Sequence, residues 1–276
     1  MSAWPAARDG RLRWMIADCL VIAKRHLLHL RHNPRILLLS TLQSSLFIVM
    51  FAYVFGGAIP LPGGGSYREY LVAGIFVQIV VFSSAGTGVG LAEDLQKGIV
   101  DRFRSLPISP VAVLMGRTIA DLARSGLSLV SMLGVAVLVG WRIHEGVLRA
   151  LAAFGMFLLF SYAVSWIGVV VGLSAANAET ANTIAAIWLF PMTFMSNTFV
   201  PTQGMPHWLR AVAEWNPVSA VVAAGRAMFG NPSLTVVHGA SFPMRQPVVA
   251  SVLWSLLVPA VVAPLAVWRF RRALSR

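Results

Sequence analysis

Between two long apolar runs, the stretch LAEDLQKGIVDRFRSLPISP from Leu91 to Pro110 gathers three acids, Glu93, Asp94 and Asp101, and three bases, Lys97, Arg102 and Arg104. That balance makes a mixed polar face rather than a basic patch, and it suits docking onto another protein better than gripping lipid headgroups or nucleic acid. On a helix, Ile99, Phe103 and Leu106 share one stripe. The result is an apolar anchor rimmed by Asp101, Arg102 and Arg104, the layout of a docking surface, although amphipathic segments also lie on lipid.

Other chemistries find no support in the chain. There is no G-x-x-x-x-G-K-[ST] motif, so the chain cannot build a P-loop phosphate cradle of its own, and energy must come from elsewhere if it pumps. Gly86, Gly88 and Gly90 spell GTGVG, but no strand precedes them and no acidic ribose ligand follows, which favours close helix packing over a dinucleotide loop. The single cysteine, Cys19, excludes an intrachain disulfide and a CxxC metal pattern. His26, His29 and His32 share one helical face without a carboxylate or thiol beside them, so no metal ligand set is expected. Apart from Asp121, no ionisable residue is expected deep in an apolar stretch, which disfavours ion-coupled transport and an intramembrane enzyme. Gln78, Ser83, Ser84, Ser161, Ser165 and Asn197 remain, either tying helices together or facing an apolar or amphipathic cargo.

The elements that must position these residues are membrane spans. With 57% hydrophobic and 12% charged residues and a mean hydropathy of +0.74, the chain reads as an all-α polytopic membrane protein. About 20 apolar residues cross a bilayer core of roughly 30 Å. Six stretches qualify: Ile36 to Phe55, Leu71 to Leu91, Val111 to Gly140, Val147 to Leu173, Thr183 to Val200 and Pro247 to Trp268. The third carries Arg117, Asp121 and Arg124 in its first turns, which places those turns outside the hydrocarbon; the fifth is short and interrupted by Pro191.

The net charge of +12 reports orientation rather than nucleic-acid binding. Arg8, Arg11, Arg13, Lys24, Arg25, Arg31 and Arg35 precede the first span, Lys97, Arg102, Arg104, Arg117 and Arg124 follow the second, and Arg269, Arg271, Arg272 and Arg276 follow the sixth. The other side keeps Arg68, Arg142, Arg149, Arg210, Arg226 and Arg245. Both termini are therefore expected in the cytoplasm. Residues 1–35 read as a cytoplasmic segment without a cleaved signal. Within it, Ile16, Leu20, Ala23, Leu27 and Leu30 form the apolar face of an interfacial helix ending near Asn33-Pro34. Residues 36–268 form one six-span domain, with the docking segment at 92–110 and an external region at 201–246. In that region His207 to Glu214 and Val218 to Phe229 are short helices dipping into or capping the outer leaflet. Residues 269–276 form a cytoplasmic tail.

AEDLQKGIVDRFRSLPIS at Ala92 to Ser109, with MGRTIAD at Met115 to Asp121, resembles the type 2 ABC (ABC-2) exporter permeases, and within them the daunorubicin/doxorubicin-resistance-like permeases. FVPTQGMPHWLRAVAEWNP at Phe199 to Pro217, with Arg226 and Gly230 beyond it, supports the same resemblance. The family likeness implies the six-span layout with an N-terminal interfacial helix, a cytoplasmic coupling helix and short external helices. It further implies a half-transporter without an ATPase site of its own. Its partners would be a second permease copy or paralogue and separate ATP-binding subunits carrying ATP and Mg. On this likeness Gly98, Asp101, Arg102, Phe103, Leu106 and Pro107 form the coupling segment, and Glu93, Asp94 and Arg104 belong to the same charged surface. The expected activity is export of a hydrophobic drug, antibiotic or lipid; export of a lipid-linked polymer or polysaccharide, or a non-transporting assembly role, are the alternatives. Phe76, Gln78, Phe190, Phe194 and Asn197 on the second and fifth spans are the cargo-path candidates, since aromatics hold flat apolar molecules and amides orient a polar group.

Overall fold

The computed structural model describes residues 42, 45–54, 61, 66–98, 110–232 and 241–274. The N-terminal interfacial helix, part of the first span and the stretch 99–109 lie outside the described residues. Residues 45–49 are helical and run into a π-helical turn at Met50–Val54. Eight α-helices follow: α1 (Tyr67–Gln96), α2 (Pro110–Leu138), α3 (Val147–Ser174), α4 (Ala178–Phe194), α5 (His207–Trp215), α6 (Pro217–Phe229), α7 (Phe242–Arg245) and α8 (Pro247–Leu274). Among the described residues, Tyr67–Gln96, Leu114–Leu138, Val147–Ser174 and Pro247–Phe270 are long and apolar enough to cross a membrane. The protein is an all-α, multi-pass membrane protein.

The central pair is α1 and α3, and small residues let their backbones touch. Gly168 and Gly172, four apart on α3, face Ser84 and Gly88, four apart on α1. A Cβ on Gly168 would collide with the Ser84 carbonyl oxygen, and one on Gly172 would lie 2.5 Å from that of Gly88. Helices in lipid have no hydrophobic effect to drive them together, so close approach of this kind supplies the packing energy. Further along, Phe76 is fully enclosed by Trp141, Phe154, Phe157 and Phe229, with ring centroids 5.3 to 6.3 Å away.

Two sequence expectations change here. The fifth span was expected from Thr183 to Val200; its helix instead begins at Ala178, where the Asn177 side chain accepts from the Thr180 N–H at 2.7 Å, and stops at Phe194. Pro191 sits inside the helix, and the Met195 N–H still reaches its carbonyl at 2.8 Å. Secondly, α6, expected to dip into or cap the outer leaflet, is packed within the bundle. It packs against α1, α3 and α8, with Val218 to Arg226 and Phe229 all buried. Its Val, Ala and Gly side chains suit a crowded interior, and Asn216 caps it by accepting from the Val218 N–H at 2.9 Å.

The early stop of α4 and the burial of α6 have one cause. The chain after α4 unwinds, and its carbonyls find donors across the bundle rather than within a helix. Arg226, 2% exposed, donates from Nε to the Tyr70 carbonyl at 2.9 Å and from Nη2 to the carbonyls of Asn197 and Thr198 at 3.0 and 3.1 Å. Its guanidinium carbon lies 3.4 Å from the centroid of the Tyr70 ring. The Tyr70 hydroxyl donates to the Asn197 carbonyl at 2.8 Å and the Tyr67 hydroxyl to that of Phe199 at 2.9 Å. Gly74 is obligatory beneath them, because a Cβ there would collide with the Thr198 carbonyl oxygen. The expectation that Asp121 is the lone deep ionisable residue is therefore corrected: Arg226 is fully enclosed because a bent backbone supplies its acceptors.

A second tie joins the short helices. Glu214 accepts from Arg210 Nε at 2.7 Å and from the Ser241 backbone N–H at 3.0 Å, one on each carboxylate oxygen. Burial alone would raise the Glu214 carboxyl, but Arg210 and Ser241 outweigh it and hold the group below its ordinary value of 4.5.

Replacing Arg226 with Met should keep the volume but remove three hydrogen bonds from a charged donor, costing roughly 3 kcal/mol or more. The melting midpoint of the detergent-solubilised protein should fall clearly. Arg226→Lys should recover little, since an ammonium lacks the planar fork; native melting of the Met variant would dismiss the latch. For Glu214, a depressed folded pKa means that its contribution is complete above 4.5 and is lost as pH falls through the lower folded value. Protection of the Ser241 amide, its exchange referred to the intrinsic rate at each pH, should therefore stay high from neutral pH down past 4.5 and fall only below it, while Glu214→Gln should lower protection at neutral pH. Loss of protection in the native protein already at pH 6 would contradict this assignment.

Candidate functional site

The charged segment singled out by the sequence begins inside α1. Ala92 to Gln96 form the last turn of that helix, Lys97 follows it, and Gly98 leaves it with a left-handed φ of 63°, a conformation that favours glycine. Glu93 faces solvent and pairs with Lys97 at 3.2 Å, a contact of little energetic weight. Asp94 instead turns toward α2 and accepts from Arg117 Nη1, both side chains being mostly enclosed. Asp101, Arg102, Phe103, Arg104, Leu106 and Pro107 lie outside the described residues.

Above this pair, α1 and α2 share a polar seam. Gly86 and Gly90 leave space on α1 that Arg124 and Arg117 occupy: a Cβ on Gly90 would collide with the Arg117 guanidinium, and one on Gly86 would lie 3.0 Å from Arg124 Nη1. The glycines of GTGVG thus serve packing, with Gly88 turned to α3. Asp121 lies on the same side of α2, and its Oδ2, the Thr87 hydroxyl and Arg117 Nε are buried without a protein partner. Deeper in the bundle Ser161 donates to Ser125 at 2.8 Å and Ser125 to Ser83 at 3.1 Å, a hydroxyl chain linking α3, α2 and α1.

The five cargo-path candidates separate. Phe76 is sealed in the aromatic core, and Asn197 belongs to the Arg226 latch, with its amide nitrogen 3.8 Å from the Met244 sulfur and its backbone N–H donating to Ser219 at 2.9 Å. Gln78 is 9% exposed. Phe190 and Phe194 are about half exposed and belong to a continuous ladder of rings. Phe82 meets Phe190 edge-on at 5.6 Å, Phe190 stacks on Phe194 at 6.0 Å, Phe194 on Phe199 at 5.1 Å and Phe199 on Phe51 at 5.0 Å. The ladder crosses from α4 to the π-helical turn.

Among the described residues no group of three His, Cys, Asp or Glu side chains could hold a metal ion. Sequence reasoning missed Arg226, Tyr70 and the Arg117–Asp94 pair. The first had a signal: VSAVVAAGRAMF sets one guanidinium in a run of small apolar residues, which makes sense only if acceptors enclose it.

The family model described as ABC-2 type transporter matches residues 17–229. The daunorubicin resistance ABC transporter permease protein DrrB1 of Streptomyces coeruleorubidus is 34% identical over 204 residues, 74% of this chain and 72% of that protein. The probable doxorubicin resistance ABC transporter permease protein DrrC of Mycobacterium tuberculosis is 24% identical over 231 residues, 83% and 79% of the two chains. A putative transport permease, ycf38, of Cyanophora paradoxa is 22% identical over 224 residues, 80% and 77% of the two. With most of its length matched by the family model and a third of its aligned residues shared with DrrB1, this chain belongs to the ABC-2 type transporter family.

Proposed function

We propose that this chain is the membrane-embedded half of an ATP-driven exporter of hydrophobic drug-like or lipid molecules, seated in a bacterial inner membrane with six spans and both termini cytoplasmic. The observation that carries the cargo class is the 34% identity to a permease named for daunorubicin resistance, extending over 72% of that protein. Two permease copies, or this chain and a paralogue, work with separate ATP-binding subunits that hold ATP and Mg. The segment 92–110 docks on those subunits, which gives the Gln96 end of α1 and the start of α2 the task of receiving their motion. ATP binding closes the partners, and the helices shift between two arrangements that open a path to opposite sides.

The half-exposed rings of Phe190 and Phe194 support an apolar cargo surface on α4. The enclosure of Phe76 and Asn197 leaves those two a packing role in the same bundle. A flat polycyclic molecule gains area burial and offset stacking on such a ladder.

Inverted membrane vesicles containing this chain and its ATP-binding subunit should take up doxorubicin when ATP and Mg are supplied, followed by quenching of its fluorescence. A complex that hydrolyses ATP and moves no such compound would end the drug-export reading. Coupling is tested at Phe103, the large apolar side chain of the docking segment. Phe103→Ala should remove an anchor worth about 2 kcal/mol, lowering affinity for the ATP-binding subunit about thirtyfold. Permease abundance in the membrane should be unchanged. Full recovery of the partner with the variant, at native transport rate, would show that Phe103 is no anchor.

A further inference from the structure

Among the described residues, α2 turns much of its apolar surface away from the bundle. Leu127, Val130, Val137 and Leu138 are all exposed by 43% or more. Toward α1, however, it presents three charged groups at helical spacing, Arg117, Asp121 and Arg124, and α1 answers with Gly86, Gly90 and Asp94, also at helical spacing. Each guanidinium lies in the gap left by one glycine, and the lower one closes on Asp94. Two guanidinium and two carboxylate groups therefore meet at one end of one helix pair, and the stretch 99–109 joins the two helices at that end.

We propose that Arg117 and Asp94, with Arg124 and Asp121 behind them, form a clasp that makes the Gln96 end of α1 and the first turns of α2 a single mechanical unit. This rests on the exporter reading above and adds to it the positioning residues through which docking motion reaches the bundle. A buried ion pair contributes little net stability against an apolar substitute, but it fixes register strongly, because a slipped arrangement strands a charge. Glycine beneath each guanidinium sharpens this: sliding α2 by one residue drives an arginine into helix backbone. A push delivered to the connection thus moves both helices together instead of peeling α2 away. The Ser83–Ser125–Ser161 chain carries the same unit on to α3.

The test begins with the full-length permease in nanodiscs, with Cys19 replaced by Ser and spin labels at Gln96→Cys and Ala123→Cys, two exposed positions. The native clasp should give one narrow distance distribution, Asp94→Asn and Arg117→Gln broad or shifted ones, and the exchanged pair Asp94→Arg with Arg117→Asp a narrow one again. Unchanged distributions in both single variants would overturn the clasp; Asp94→Asn, altering a partly exposed group, guards against simple misfolding of Arg117→Gln. The second readout is the complex with its ATP-binding subunit in vesicles, with doxorubicin as probe. ATP consumed per doxorubicin moved should rise about fivefold or more in the single variants, the scale of a typical coupling free energy, and return in the exchanged pair. Altered distances with an unchanged ratio would also overturn the proposal, reducing the pair to a local fastener. A native complex that moves no doxorubicin would refute the drug-export reading, while the distance measurement would still decide whether the two helices are clasped.

Discussion

A carbonyl group inside a membrane protein must find a donor in the protein, because hydrocarbon offers none. The unwound chain after α4 turns that constraint into architecture. Asn197, Thr198 and Phe199 leave the helical hydrogen-bonding pattern, and their carbonyls are met by Tyr67 and Tyr70 from α1 and by Arg226 from α6. This requirement draws a short, small-residue helix into the bundle, fixes how far α4 can extend, and demands Gly74 where the two backbones cross. Asn216 closes the same corner from the other side, donating to the carbonyls of Met192 and Met195 at 2.7 and 3.1 Å.

The opposite end of α1 is organised on a different principle. There the helices are joined by charge and by glycine gaps, and the seam lies beside the connection that the docking reading assigns to the ATP-binding subunits. Between the two ends run the Gly168/Gly172 contact and the aromatic core around Phe76, so α1 links a rigid bent backbone to a charged fastening along 30 residues. A long helix braced on both sides by close packing carries displacement with little loss, which is what a membrane subunit driven by separate ATPases requires.

Much of this was legible in the sequence, and for a definite reason. Hydropathy is a sum over about 20 residues, so the spans containing α1, α2, α3 and α8 announce themselves whatever their neighbours do. GTGVG could be assigned to packing because its phosphate-binding context was missing. What escaped was set by contacts distant in sequence. The end of α4 depends on donors more than a hundred residues earlier, at Tyr67 and Tyr70, and no local pattern near Val200 encodes it. The burial of Val218 to Phe229 was masked by four prolines and two tryptophans around it, which mimic a surface loop. Phe76 and Phe190 looked alike as aromatic residues on apolar helices, yet one is core and the other half exposed, a distinction that belongs to helix rotation.

The Arg226 latch also imposes an order on synthesis. Its acceptors at Tyr70, Asn197 and Thr198 all leave the ribosome before the guanidinium that joins them. Without residue 226 the carbonyl row keeps only the tyrosine hydroxyls as side-chain donors. Chains halted between residues 200 and 225 carry all the acceptors and none of the charge. The last third of the sequence therefore completes this corner of the bundle instead of being added to a finished one.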